Sequence, residues 1–325
     1  MCPAGEAVSI IAHHLLLLGF VTPVWVKPLW IVAVGAAVAS AVLVATLYLL
    51  QLAAPKVGAI AWATGKEAVA QPIFYVLLAS GAAALVLFLF LPYFTFGEDV
   101  QVVEVNGLTL IKILGVVLAL WMASTSIADE IEGRTALTVL SKPIGRREFI
   151  LGKFLGVLGP VVVLFIVLGA IFLGSVSFKV SYDARETGLP DPTWLQCQAE
   201  MIRIAPGLVL ALLEAVVLTA IGVAISTRLP LLPNLILCGS IYVLGHLVPL
   251  LAQSAVAQRL PLVPFVADLL ATVLPVLDHF DVYEAIARGL PLPAWYLLWL
   301  TVYCALYTAV AMLLALLLFE DRDLA

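Results

Sequence analysis

The sequence has few charged residues: they make up 11% of its 325 positions, and the net charge at pH 7 is −5. Soluble domains carry about 25% charged and roughly 45–50% apolar residues, whereas 64% of this chain is hydrophobic. A soluble or disordered protein is therefore excluded, because so apolar a globule could not cover itself with polar surface. The lack of a basic arm also disfavours nucleic-acid binding.

Cysteine and catalytic motifs are scarce as well. The four cysteines include no Cys-x-x-Cys pair and indicate neither a disulfide framework nor a cysteine metal site. No His-Glu-x-x-His or Gly-x-Ser-x-Gly motif occurs, which disfavours a membrane-embedded hydrolase. An ATP-binding phosphate loop is missing too, since neither Gly-Lys pair in the chain is followed by Ser or Thr.

Long apolar runs are what the sequence has instead, and they predict an all-α polytopic membrane protein. Each run is long enough to cross a hydrocarbon core of about 30 Å. The seven predicted spans are residues 29–52, 72–92, 107–127, 151–174, 205–226, 234–252 and 294–319. An eighth run, residues 7–26, contains His13 and His14 and is closed by Pro23, so it either crosses the membrane or lies in its interface.

The basic residues predict the orientation, because cytoplasmic loops are enriched in Lys and Arg. The densest basic stretch is residues 128–150, which we therefore place in the cytoplasm. Alternation then places the acidic loop over residues 93–106 outside and Lys112 near the outer membrane edge. Residues 175–204, also outside, are polar and predict a solvated loop.

Two further segments differ from the spans. Residues 253–293 are apolar but interrupted by prolines, and they predict short re-entrant helices covered by protein, since irregular backbone at membrane depth needs such cover. Residues 58–71 predict an interfacial helix, with Ala61 and Trp62 on its apolar face and Thr64 on its polar face.

Residues 126–156 carry the strongest functional pattern. A predicted helix leaves the membrane into charged residues, and the spacing of Glu130 and Arg134 supports its continuation. Lys142 precedes Pro143 and ends that helix, because a residue before proline avoids the α region. The pattern predicts a rigid charged hairpin joined to two membrane helices, which can transmit force from a cytoplasmic partner.

This segment resembles the signature of type-2 ABC exporter permeases, the membrane subunits driven by a separate ATPase. The residues that fall on the signature are Glu130, Glu132, Thr135, Leu140, Ser141, Pro143, Arg146, Glu148, Gly152, Lys153 and Gly156. The resemblance implies a permease core over residues 58–325, with an elbow helix at 58–71 and six transmembrane helices. Residues 1–57 would then be an N-terminal extension with one or two additional transmembrane helices.

The resemblance also implies how the chain works. It would be no enzyme and bind no cofactor; a partner ATPase would bind ATP and Mg²⁺, and two permease copies would form a homodimer in the cytoplasmic (inner) membrane. The residues assigned to ATPase coupling are Asp129, Glu130, Glu132, Arg134, Arg146 and Arg147. A simply solvated cytoplasmic loop is the alternative interpretation of these charges.

Polar side chains inside the predicted spans are the other candidates. Glu214 lies mid-span, where a charge costs about 2.5–3.5 kcal/mol, so it should be paired, protonated or facing a wet cavity. Glu214 and His246 are candidates for the translocation pathway. The alternatives are an interhelical hydrogen bond for Glu214 and a bond to a backbone carbonyl for His246. Asp278 is predicted to be the N-cap of a helix with Asp281 in its first turn, and no metal site is predicted.

The leading hypothesis is therefore the permease subunit of an ATP-driven exporter. The alternative is a secondary transporter or channel that uses Glu214 as its ion site; it would follow an ion gradient and show inverted repeats, which the sequence does not display. A membrane-embedded enzyme or assembly scaffold is a third possibility, and it would be active without nucleotide.

We expect Glu130→Cys, in a background whose native cysteines are replaced by serine, to react with a membrane-impermeant maleimide only after the cells are permeabilised. Glu98→Cys, in the predicted outer loop, is the matched control and should react in intact cells. Labelling at position 130 in intact cells would overturn the orientation and the coupling role together.

Overall fold

The computed structural model describes most of the chain. The described residues are 23–91, 99–132, 145–188, 190–252 and 262–320. Within these ranges all regular structure is helical, which confirms the predicted all-α fold. The run over residues 7–26 lies almost wholly outside them; its described end contributes a short 3-10 helix, Val24–Val26.

The α-helices of the described ranges are numbered in chain order. They are α1 (Leu29–Ala53), α2 (Pro55–Ala70), α3 (Pro72–Phe88), α4 (Asp99–Glu132), α5 (Arg146–Glu186), α6 (Trp194–Ser226), α7 (Leu231–Ala252), α8 (Leu262–Val273), α9 (Tyr283–Ala287) and α10 (Ala294–Glu320). A second 3-10 helix, Leu277–Phe280, lies between α8 and α9.

The helices that can cross a membrane coincide with the predicted spans. Six stretches are long and apolar enough by themselves: α1 with the 3-10 turn before it, most of α4, α5, α6, most of α7, and α10. The helix α3 has 17 residues, the short limit for a span. It qualifies together with α2, from which it is bent by 62°.

Prolines produce the bend between α2 and α3. Pro55 and Pro72 stand in the first turns of these helices, where a missing N–H is harmless. Gln71 precedes Pro72 and is extended, with a ψ of 136°, because a residue before proline avoids the α region. The helix α2 therefore meets α3 at an angle, as an interfacial elbow would.

The face that α2 buries differs from the predicted one. Ala61 and Thr64 are buried against α5, whereas the Trp62 side chain is 59% exposed. The assignment of Thr64 to the polar face together with Glu67 was wrong, because Thr64 packs against protein; Trp62, assigned to the apolar face, lies at the surface of the bundle. The reason is steric: α2 lies against Gly156 of α5, and only small side chains fit at that distance.

The core of the bundle is formed by α4, α5 and α6, which pack against one another, while α10 packs on α6. The additional helix α1 lies at the edge, against α5 and α2. None of the residues of α1, all of which are described, is buried. A helix that is apolar on all sides and unburied by protein is typical of a lipid-facing span.

The predicted solvated loop over residues 175–204 is wrong, because α5 and α6 both extend into it. Some of its polar side chains are buried within the protein. Ser177 donates its hydroxyl to the carbonyl of Trp25 (2.8 Å), and the Lys179 Nζ lies 3.6 Å from the Asp99 Oδ2. Others, such as Arg185 and Asp191, are exposed as predicted, but they lie at or just beyond the ends of long helices rather than in a long loop.

The described part of residues 253–293 contains short helices, which pack on α4, α6 and α7, and three tyrosines of α10 bond to the segment. Tyr296 donates its hydroxyl to the carbonyl of His279 (2.6 Å), and Tyr307 donates to that of Val273 (3.1 Å). The Tyr303 hydroxyl accepts the N–H of Val276 (3.0 Å). These bonds satisfy backbone groups of an irregular segment, which is the condition for such a segment at membrane depth.

The contact between α2 and α5 generates a stability prediction for Gly156→Ala. A Cβ at position 156 would lie 2.6 Å from the Cβ of Thr64 and 2.8 Å from the carbonyl oxygen of Ala61, so α2 would have to move. We expect a loss of about 1–3 kcal/mol, measured by thermal or chemical unfolding of the purified protein in detergent.

Gly159→Ala is the matched control on the same helix. A Cβ there meets no described atom within 4 Å, so it changes helix propensity in the same way without overpacking. Equal effects of the two substitutions would contradict the close packing of α2 on α5.

Candidate functional site

A cluster of charged side chains lies buried between α4, α6, α7 and the segment that leads into α9. We call it the buried charge cluster; its members are Lys112, Glu214, His246, Asp281 and Tyr283. Lys112 comes from α4, Glu214 from α6 and His246 from α7. The cluster therefore joins three membrane helices to the covered outer segment.

Lys112 is held between two carboxylates. Its Nζ lies 3.3 Å from the Asp281 Oδ2 and 4.0 Å from the Glu214 Oε2. The ammonium also lies 4.5 Å from the centre of the Tyr283 ring, within the range of a cation–π contact. Lys112 is 4% exposed and Glu214 is fully buried, so neither charge is screened by bulk water.

His246 completes the cluster. Its Nδ1 lies 3.0 Å from the carbonyl oxygen of Tyr242, which confirms the bond to a backbone carbonyl that was left open for this residue. Its Nε2 lies 3.4 Å from the Glu214 Oε1. The histidine is thus held at Nδ1 by a hydrogen bond, and its Nε2 faces the glutamate.

Small residues allow α6 to approach α4 closely enough for these contacts. Gly207 lies against Leu108 on one side of the cluster, and Gly222 lies against Ala123 on the other. These two glycines and Glu214 lie on one stripe of α6, and all three are buried. The close approach of the two helices brings Glu214 to Lys112.

Lys112 is the functional residue that the sequence reasoning missed. We placed it near a membrane edge, but it lies buried as the partner of Glu214. A signal existed: Lys112 is the sole charged residue in the predicted span 107–127, and Glu214 is the sole one in 205–226. Two isolated charges of opposite sign in different spans indicate a pair, because each alone would be costly in the membrane.

Asp281, rather than Asp278, caps the helix that follows. The Asp281 Oδ1 accepts the N–H of Tyr283 at the start of α9 (3.2 Å), whereas Asp278 lies inside the preceding 3-10 helix. The prediction that Asp278 is the N-cap was wrong, because α9 begins later than the sequence indicated. The helix ends before Gly289, whose φ of +67° favours glycine.

A cavity of about 660 Å³ adjoins the buried charge cluster. Asp278, Asp281, Tyr283, Arg288 and Tyr296 contribute its polar lining. Asp281 and Tyr283 belong to both the cavity and the cluster. The cavity therefore reaches to within one side chain of Lys112.

A second ionic group ties α4 to α6 nearer the predicted outer end. The Arg203 Nη2 lies 2.7 Å from the Oε2 of the buried Glu104 and 2.5 Å from the Glu200 Oε2. A guanidinium bound by two carboxylates holds the two helices in register. Together with the buried charge cluster, this group gives α4 and α6 two ionic contacts on one interface.

The predicted ATPase-coupling residues lie at the opposite end of α4. Residues 129–132 form its last turn, but their side chains, and Arg134 altogether, lie outside the described residues. Glu130 follows Lys112 by 18 positions on one continuous helix, about 27 Å at the rise of an α-helix. The structure therefore does not bring the two candidate sites together.

The other half of the coupling segment begins α5. Arg146 donates from its Nη1 to the carbonyl oxygen of Glu320 (2.6 Å), the last residue of α10. A cation is favourable at a helix C-terminus, where carbonyl groups lack partners. Phe149 stacks on Phe319 at 5.7 Å between ring centres, whereas Arg147 is exposed. The start of α5 is thus joined to the end of α10.

A comparison with protein families decides what kind of protein this is. A model of the family described as ABC-2 family transporter protein matches residues 89–324. The chain belongs to this family. The match covers α4 to α10 and includes both candidate sites; α1, α2 and α3 precede it. No curated protein matches the chain.

Family membership identifies the chain as a permease component of an ABC transporter and a multi-pass membrane protein. The buried charge cluster then lies among the membrane helices of a permease. The resemblance inferred from residues 126–156 is confirmed at the level of the family.

We expect Lys112→Met to destabilise the permease by about 3–5 kcal/mol, because it leaves two carboxylates without their cation in a buried site. Adding Glu214→Gln should restore part of that loss by removing one of them. Unfolding of the purified permease in detergent measures both effects.

Arg185→Met is the matched control. It removes an exposed ion pair in which the Arg185 Nε lies 3.6 Å from the Asp191 Oδ1, with both side chains about two-thirds exposed. Such pairs contribute about 0–1 kcal/mol. If Lys112→Met cost no more than this control, the buried charge cluster would have no structural role.

Proposed function

We propose that the chain is the permease subunit of an ATP-driven exporter, which works as a homodimer with two copies of a separate cytoplasmic ATPase. In this proposal residues 58–325 form the permease core, and residues 1–57 form an N-terminal extension that adds at least one transmembrane helix. The ATPase binds ATP and Mg²⁺; the permease binds neither. The assembly lies in the cytoplasmic (inner) membrane.

The observation that carries the proposal is the continuity of α4. One helix runs from Asp99 to Glu132, so the charged segment at its end is a rigid extension of a membrane helix. In the proposal Asp129, Glu130, Glu132 and Arg134 contact the ATPase. A displacement there moves α4 as a body, including Lys112 in the buried charge cluster.

A second route of force runs through α10. Arg146 and Phe149 join the start of α5 to the end of α10. At its other end α10 holds the outer segment through three tyrosine hydroxyls. Motion that nucleotide binding imposes on the coupling segment would therefore reach the outer side along two helices, with Arg146 and Arg147 anchoring the return helix.

We further propose that Glu214 and His246 belong to the translocation pathway. They are polar groups inside the bundle, next to a cavity that Asp281 shares with them. The alternative, a secondary transporter with Glu214 as its ion site, draws on the same buried charges. Transport that persists after ATP depletion but collapses with an ion gradient would favour that alternative.

Affinity purification of the tagged permease in mild detergent tests the proposal. We expect a phosphate-loop ATPase to co-purify and to be lost with Glu130→Arg or Arg134→Glu, because each reverses a charge on the docking surface. Arg185→Glu reverses an exposed charge on the predicted outer side and should retain the ATPase. The proposal fails if no ATPase is recovered while the permease stays dimeric.

A further inference from the structure

The hydrogen bond of His246 determines where one of its protons lies. Its Nδ1 is 3.0 Å from the carbonyl oxygen of Tyr242. A carbonyl oxygen can only accept, so Nδ1 must carry the hydrogen. In a neutral imidazole the other nitrogen, Nε2, is then an acceptor with an exposed lone pair.

The group that faces this lone pair is also an acceptor. Nε2 lies 3.4 Å from the Oε1 of Glu214, a fully buried side chain. The two carboxylate oxygens of Glu214 and the Nε2 of His246 have no hydrogen-bond partner among the described residues. An ionised carboxylate facing an unprotonated nitrogen without water would place two lone pairs against each other, and one proton between them removes the conflict.

The charge balance of the surroundings leads independently to the same result. Lys112 from α4 supplies one positive charge, while Glu214 from α6 and Asp281 before α9 supply two negative charges. The other titratable groups near the pair are Asp278, Tyr242, Tyr283 and Cys304, the last of which comes from α10 and bonds to the carbonyl of Leu213. Asp278 and Arg288, which both line the adjoining cavity, carry opposite charges. With neutral His246, the Lys112–Glu214–Asp281 group therefore carries one net negative charge in a buried site. One added proton makes it neutral, which avoids the cost of an unpaired buried charge.

We propose that Glu214 and His246 together form a proton-binding site that holds one proton between the Glu214 Oε1 and the His246 Nε2. Binding adds one proton to the pair and changes the charge of the Lys112–Glu214–Asp281–His246 group from −1 to 0. The proton resides either on the imidazole or on the carboxyl group, so its titration belongs to the pair. The cavity lined by Asp281 lies on the Lys112 side of the cluster, with the Asp281 and Lys112 side chains between it and Glu214.

This inference rests on the geometry of the pair and not on the coupling to an ATPase. It can fail while the proposed function stands, and the purified permease tests it without nucleotide or cargo. If it holds, any conformational change that separates α6 from α7 also changes the proton affinity, and the transport cycle becomes dependent on pH by linkage.

Nitrogen NMR of the full-length permease labelled with ¹⁵N-histidine is the direct test. The chain has four histidines, and His246→Gln identifies the signal of His246. We expect Nδ1 to be protonated at every pH and Nε2 to be protonated or hydrogen-bonded near neutral pH. Raising the pH should convert Nε2 to an unprotonated, unbonded nitrogen in one step.

Glu214→Gln is the informative variant, because its amide NH₂ can donate to Nε2 and so replaces the bound proton. The Nε2 of this variant should stay hydrogen-bonded, and any protonation of the imidazole should require a pH at least one unit lower than in the unmodified permease. The proposal is overturned if unmodified His246 is the opposite neutral tautomer, if its Nε2 is bare at all pH values, or if Glu214→Gln leaves the titration unchanged.

The dependence of thermal unfolding on pH gives a second readout. A proton that the folded chain binds more tightly than the unfolded chain stabilises the fold at low pH. This stabilisation is lost as the pH rises and the folded chain releases the proton. The midpoint temperature of unfolding of the unmodified permease should therefore fall more with rising pH than the midpoint temperature of Glu214→Gln. His279→Gln, which removes an exposed imidazole of the outer segment, should follow the unmodified permease; if it matched Glu214→Gln instead, the effect would not belong to the pair.

Discussion

A lysine held between two carboxylates inside the membrane bundle is the constraint on which the rest of the structure depends. Removing ionised groups from water costs several kcal/mol for each ion, so Lys112, Glu214 and Asp281 must stay together. That requirement sets α4 against α6, which glycines allow to approach closely, and it draws the outer segment onto the bundle. The tyrosines of α10 hold the same segment from the other side. An irregular stretch that could not exist in lipid alone is thus held by ionic contacts and by hydrogen bonds.

The same helix connects this constraint with the proposed coupling to an ATPase. Because α4 is unbroken, its charged end and Lys112 move as one body. The helix α10 makes a second connection, from the Arg146 contact at one end to the tyrosines at the other. A proton site within the cluster would then respond to the motions that open and close the bundle. These features give a physical account of how the permease could be driven at one end of α4, as proposed, and respond at the other.

The errors of the sequence interpretation have a common cause. Polar residues at 175–204 were assigned to solvent, yet Ser177 and Lys179 are buried against Trp25 and Asp99. Thr64 was assigned to a polar face, yet it packs on Gly156 because it is small. In each case the residue is polar, as the sequence shows, but the residue that bonds to it or limits its size lies far away in the chain. The family signature over residues 126–156 shows the converse: its order and spacing are local and are recognisable from the sequence, while the coupling role of its charged residues stays a prediction.

The sequence by itself determined the helical class, the seven apolar runs, the family and the expectation that Glu214 needs a partner. Hydrocarbon offers no hydrogen bonds to the backbone, so a helical membrane protein crosses the bilayer as continuous apolar helices. Each such run of apolar residues is a local feature of the sequence. Only the tertiary structure decided which cation meets Glu214, that Asp281 shares it, and that the Nε2 of His246 faces a carboxylate. Those contacts depend on how the helices pack and how each is rotated about its axis. Packing and rotation are set by glycine contacts between distant segments, which leave no periodic pattern in the sequence.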